Sequence, residues 1–142
     1  MDSIEQAKRN IERATDLTSV LDASYRAFAV MLAVIEQEEE RGGPLFPAFV
    51  LAGVPANSGR FALSAAPSLP ASARTGSPVP IGLPAAPAHQ TAADIAKLSQ
   101  LLATRLDDAA LAALLTADRR ACIDAARQAW ALRARLGKPR LR

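Results

Sequence analysis

Apolar residues over positions 1–41 fall at heptad spacing. Counted from Ile4, the a positions are Ile4, Ile11, Thr18, Tyr25 and Leu32, and the d positions are Ala7, Ala14, Leu21, Phe28 and Ile35. Before Thr18 the stripe is thin, with alanine at both d positions. From Leu17 onward Val20, Met31 and Val34 broaden it into a bundle-type face. The pattern predicts one long amphipathic helix over 1–41, better buried in its second half and ended by Gly42-Gly43-Pro44. Ile4, Ile11, Leu21, Tyr25, Phe28, Leu32 and Ile35 are its candidate oligomer seam.

Periodicity changes after Pro44. Two short apolar runs, Leu45 to Val54 and Arg60 to Ala65, flank Pro55-Ala56-Asn57-Ser58-Gly59, and this predicts a small β-hairpin over 45–65. Residues 66–90 are rich in Pro, Ala, Ser and Gly, and read as a flexible or polyproline-like linker. Helical spacing returns at Thr91, the expected cap of a helix carrying Ile95, Leu98, Leu102 and Leu106. A short helix from Asp107 to Leu115 follows, and a last one runs from Thr116 or Asp118 to Leu136. Residues 137–142 form a basic tail. The fold class is therefore mainly α: a long N-terminal helix and three short C-terminal helices in a bundle, with a hairpin and a linker between them.

Composition sharpens this division. Nine of ten prolines and six of seven glycines lie between Gly42 and Gln90, a stretch without an acidic residue. Alanine accounts for 32 residues, which suits close helix–helix approach more than a bulky core. Residues 1–41 carry nine acids and five bases, while residues 91–142 carry five acids and ten bases, so the two arms have opposite sign. The Glu36, Glu38, Glu39, Glu40 run reads as a solvated helix end, its alternative being a docking surface for a basic partner. The start of the chain lacks a signal-like apolar run. The longest apolar helical stretch, Ala27 to Ile35, is about half a membrane crossing. The expectation is a cytoplasmic protein that does not engage a membrane.

Candidate chemistry is sparse. The single histidine, His89, sits in the proline-rich stretch, and Cys122 is the single cysteine, so hydrolytic triads and the usual zinc or iron ligand sets are not formed. No cofactor and no metal site is expected. Gly53 to Arg60 departs from a phosphate-binding loop in spacing, in its missing lysine and in its missing Ser or Thr. Thr91 to Ser99 resembles the first helix of the helix-turn-helix of lac-repressor-type regulators. It departs from that pattern at Gln100, Leu101 and Leu102, where a turn gives way to more helix, and reads better as an ordinary capped helix.

The last helix separates two faces. Cys122, Ala125, Ala126, Ala129, Leu132 and Leu136 form a small-residue packing seam, and Arg119, Arg120, Ile123, Arg127 and Trp130 gather opposite them. Arginine beside tryptophan suits a binding surface, and those five residues are the candidate interaction surface; the competing account is that the first helix covers Trp130 and Ile123, with the arginines fringing them. The expected function is a non-enzymatic helical interaction or oligomerisation protein, structural or adaptor in role, whose partner is itself or another protein. The alternative is a small nucleic-acid-associated regulator acting through the basic last helix and tail.

Overall fold

The computed structural model describes residues 3–75 and 86–137. They form six helices: α1 (Ser3–Arg13), α2 (Leu17–Arg41), α3 (Phe46–Ser64), α4 (Ala71–Thr75), α5 (Ala88–Ala112) and α6 (Thr116–Leu136). Packing pairs fix their directions. The Phe28 ring lies over Gly59, and Ile35 and Glu39 lie beside Gly53, so α2 and α3 are antiparallel. Trp130 Nε1 donates to Asp107 Oδ2 at 3.3 Å and Arg133 Nε to Gln100 Oε1 at 2.9 Å, which makes α5 and α6 antiparallel. The start of α6 is tied to the segment after α3 through Asp118 and Ser68. Helices α2, α3, α6 and α5 thus pack around one core, and α1 lies along α2 and α5.

The single long N-terminal helix is in fact two. Asp16 caps α2: its Oδ1 accepts from Ser19 N–H at 2.7 Å while Ser19 Oγ accepts from Asp16 N–H at 3.2 Å, a reciprocal capping box. These hydrogen bonds to Ser19 hold the Asp16 carboxyl below its ordinary value. The chain folds back here, so α1 covers α2 and α5 rather than extending away. The carbonyls freed at the end of α1 are met by Arg105, whose Nη2 donates to Glu12 O at 3.1 Å and Nη1 to Ala14 O at 3.5 Å.

The predicted β-hairpin over 45–65 is instead helix α3, and no strand occurs among the described residues. Pro47 falls in the first turn, where a missing N–H costs little. The residues that suggested a turn serve close packing: Ala52, Pro55, Ala56 and Gly59 line the buried face of α3. Gly59 is required there by space, because a Cβ would collide with the enclosed Phe28 ring. Tertiary packing therefore outweighs the poor helix propensity of Pro55, Asn57 and Gly59.

Part of the predicted linker is ordered. Ala66, Leu69 and Ala73 are buried, and Arg74 Nη2 donates to Ser64 O and Ala66 O at 2.9 Å each, closing the end of α3. Residues 76–85 of that linker, with the Pro78-Val79-Pro80 motif, and residues 138–142 of the basic tail lie outside the described residues. The first two of the three short C-terminal helices are one, α5. Asp107 and Asp108 are exposed within its last turns rather than capping a new helix, and Thr91 lies inside it, with Oγ1 donating to Pro87 O at 3.4 Å.

The seam expected to join copies is covered by the chain's own helices. Ile4, Ile11, Leu21, Phe28 and Ile35 are buried, and Tyr25 and Leu32 are half-buried against the same core. Two chain reversals are the physical reason: the fold-back at Asp16 lays α1 along α2, the turn at Gly42 and Gly43 returns α3 along it, and α5 packs on both α1 and α2. By length and composition α2 is apolar enough to cross a membrane, with mean hydropathy 1.4 over its best window. A core helix has the same character, and α2 buries eleven of its residues inside the chain.

Candidate interaction surface

Among the described residues, exposed large apolar side chains lie on α3, on α6 and at the α5–α6 turn, where Leu111, Leu114 and Leu115 form a short cluster; the two helix faces are the extended ones. The first is on α3, which is apolar on both sides. Phe49, Ala52, Ala56 and Leu63 point into the core, while Phe46, Val50, Leu51, Val54 and Phe61 point out. Val54 is 66% and Phe61 77% exposed. Phe46, Val50, Val54 and Phe61 are spaced four, four and seven apart, which places them on one stripe roughly 22 Å long. A helix with two apolar faces is ordinarily enclosed, and a contiguous exposed apolar patch marks a docking site more often than chance. Arg60 is the single charge on α3. It makes one long bond, Nη2 to Asn57 Oδ1 at 3.4 Å, and no ion pair among the described residues.

The second face is on α6. Its small-residue seam, Cys122, Ala125, Ala126, Ala129, Leu132 and Leu136, is buried against α3 and α5, and Arg119, Arg120, Ile123, Arg127 and Trp130 are all exposed. The five are not equivalent. Arg119 Nη2 donates to Ala113 O at 2.9 Å and so serves the end of α5, and Trp130 is held by Asp107. Arg120 and Arg127 have no hydrogen bond or ion pair among the described residues. Arginines 74, 105 and 119 therefore close the carboxyl ends of α3, α1 and α5, where cations are favoured by the helix dipole.

Of the acidic run ending α2, only part is solvated. Glu36 and Glu40 are exposed, Glu39 is half-buried beside Gly53, and Glu38 is buried. Its Oε1 accepts from Arg41 Nη1 at 2.8 Å, while Oε2 has no partner. The solvated-end expectation thus fails at Glu38, because that position lies one turn after the buried Val34 and Ile35 and shares their core-facing side of α2.

The buried titratable groups are occupied structurally. Asp118 accepts from Ser68 N–H at 3.0 Å and from Ser68 Oγ–H at 2.6 Å, in the first turn of α6 where a carboxylate is favoured. Burial, with a smaller contribution from Asp118, pushes the Cys122 thiol from 9.0 up to about 11. His89 is exposed in the first turn of α5. Among the described residues no three His, Cys, Asp or Glu side chains converge as metal ligands. No protein family, curated protein or solved structure matches the chain.

Proposed function

We propose that this protein is a non-enzymatic helical interaction module that self-associates through the outer face of α3. The observation that carries the reading is the exposed stripe Phe46, Val50, Val54 and Phe61 on a helix whose other face is already packed. The heptad seam favoured by sequence periodicity is enclosed, which leaves α3 as the extended apolar face outside the core. Adding a charge at the centre of that stripe removes association without touching the bundle. Light scattering at micromolar concentration and physiological salt tests this: the wild-type chain is heavier than its 14.9 kDa monomer and Val54→Asp returns to it. A monomeric wild type, or an assembly indifferent to Val54→Asp, ends the reading.

The α6 face supports a second reading, a nucleic-acid-associated regulator. Exposed Arg120 and Arg127 beside Ile123 and Trp130 combine phosphate-seeking charge with an aromatic surface. A salt-titrated shift assay with single- and double-stranded DNA and RNA decides it. Absence of binding at low salt removes this alternative.

A further inference from the structure

Charge placement around the α3 stripe distinguishes the ways two copies can meet. Gly59 stands level with Phe28 and Gly53 with Ile35, so the end of α2 with Glu36 and Glu40 stands level with the first turns of α3. Arg60 sits at the other end of the same face. The level of Phe28 is eight residues from Glu36 and twelve from Glu40 on α2, roughly 12 and 18 Å, and Arg60 makes no ion pair with either acid of its own chain among the described residues. Neither Glu36 nor Glu40 has an ion pair among the described residues. One unpaired base and two unpaired acids thus flank opposite ends of an apolar stripe centred on Val54.

A two-fold axis parallel to α3 would set Arg60 opposite Arg60 and the acids at the far end, on opposite flanks. An axis perpendicular to α3 reverses one copy. It puts both α2 helices on the same flank and brings Arg60 of each copy level with the acidic end of α2 in the other. Because a two-fold interface uses the same patch twice, this arrangement satisfies both charge sets at once. Resting on the α3 docking reading, we infer that the occupant of this face is a second copy of the chain in antiparallel orientation, with Val54 at the centre and Arg60 of each copy against Glu36 and Glu40 of the other.

Charge reversal with complementation is the test, read by sedimentation velocity at low salt. Arg60→Glu alone, and Glu36→Arg with Glu40→Arg, each place two like-charged contacts in the dimer and weaken association roughly tenfold. An equimolar mixture of the two variants forms a mixed dimer of wild-type strength, because both contacts become attractive again. Raising the salt narrows the differences. Circular dichroism confirms that each variant keeps its helices, and Arg60→Gln supplies a milder variant expected to weaken association less than Arg60→Glu. If the single variants associate as wild type does, or the mixture stays dissociated, antiparallel pairing is overturned. Loss of association in Val54→Asp under those same conditions leaves the α3 docking reading standing, whereas its retention overturns that reading as well.

Discussion

Replacing Gly59 by alanine sets two physical effects against each other, and the structure decides the sign. Gly59 lies inside α3 with the Phe28 ring against its α-carbon, and a Cβ would fall within that ring's contact distance. Phe28 is fully buried, so the ring has no open space to swing into. Carbon atoms in contact sit about 3.5–4.0 Å apart, so α2 and α3 must separate by on the order of 1 Å to admit the methyl. Overpacking of an enclosed site costs about 3 kcal/mol at the upper end of its usual range. Alanine recovers about 1 kcal/mol of helix propensity over glycine. The net is a loss of about 2 kcal/mol, or a melting temperature lower by roughly 6–8 °C for a domain of this size. Thermal and urea denaturation followed by circular dichroism measures it. Placing Gly59→Ala in a Phe28→Leu background should remove the penalty, because the obstacle is gone. A single variant as stable as wild type or more so would refute the close α2–α3 contact, and a penalty that persists without Phe28 would place its origin elsewhere.

Other consequences follow from the buried groups. Asp118→Ala leaves the Ser68 N–H and hydroxyl without their acceptor and should cost about 1–3 kcal/mol in urea unfolding, with faster tryptic cleavage at Arg74 as the segment after α3 loosens. Cys122 should resist alkylation in the folded chain and react fully in denaturant. Its thiol is raised to about 11, so burial stabilises the neutral form: the associated stability is intact below pH 9 and falls as pH rises through about 11. Alkaline unfolding of Cys122→Ala against wild type measures this, and the variant should lose less stability between those two values.

Much of the helical layout was legible in sequence, and the failures have identifiable causes. Apolar periodicity located the buried faces of α2, α5 and α6, but it left open whether Trp130 and Ile123 are covered by the first helix, and both are exposed. It failed at Asp16, where an a/d stripe runs unbroken through a helix boundary; the signal that could have marked the boundary is the Asp16 to Ser19 spacing of a capping box. It failed again over 45–65, because proline, asparagine and glycine carry a turn signature in isolation. There the deciding information is the shape of Phe28, which is distant in sequence and admits only a glycine opposite it. The helix-closing role of Arg105 is illegible for the same reason, since it bonds to residues some ninety positions earlier. The exposed apolar face of α3 is hidden by the same turn signature, since phenylalanines beside it read as strand residues. Its exposure becomes visible only once the helix is in place.

The most direct measurement of the central claim is a cross-link at the middle of that face. Val54→Cys places a thiol at the centre of the stripe while Cys122 stays buried, and Leu114→Cys places one at a site that is 95% exposed on the α5–α6 turn. Under mild oxidation of the folded chain, the account predicts a disulfide-linked dimer forming rapidly from Val54→Cys and slowly from Leu114→Cys. Equal rates, or no dimer from Val54→Cys, would contradict the assignment of α3 as the surface where two copies meet.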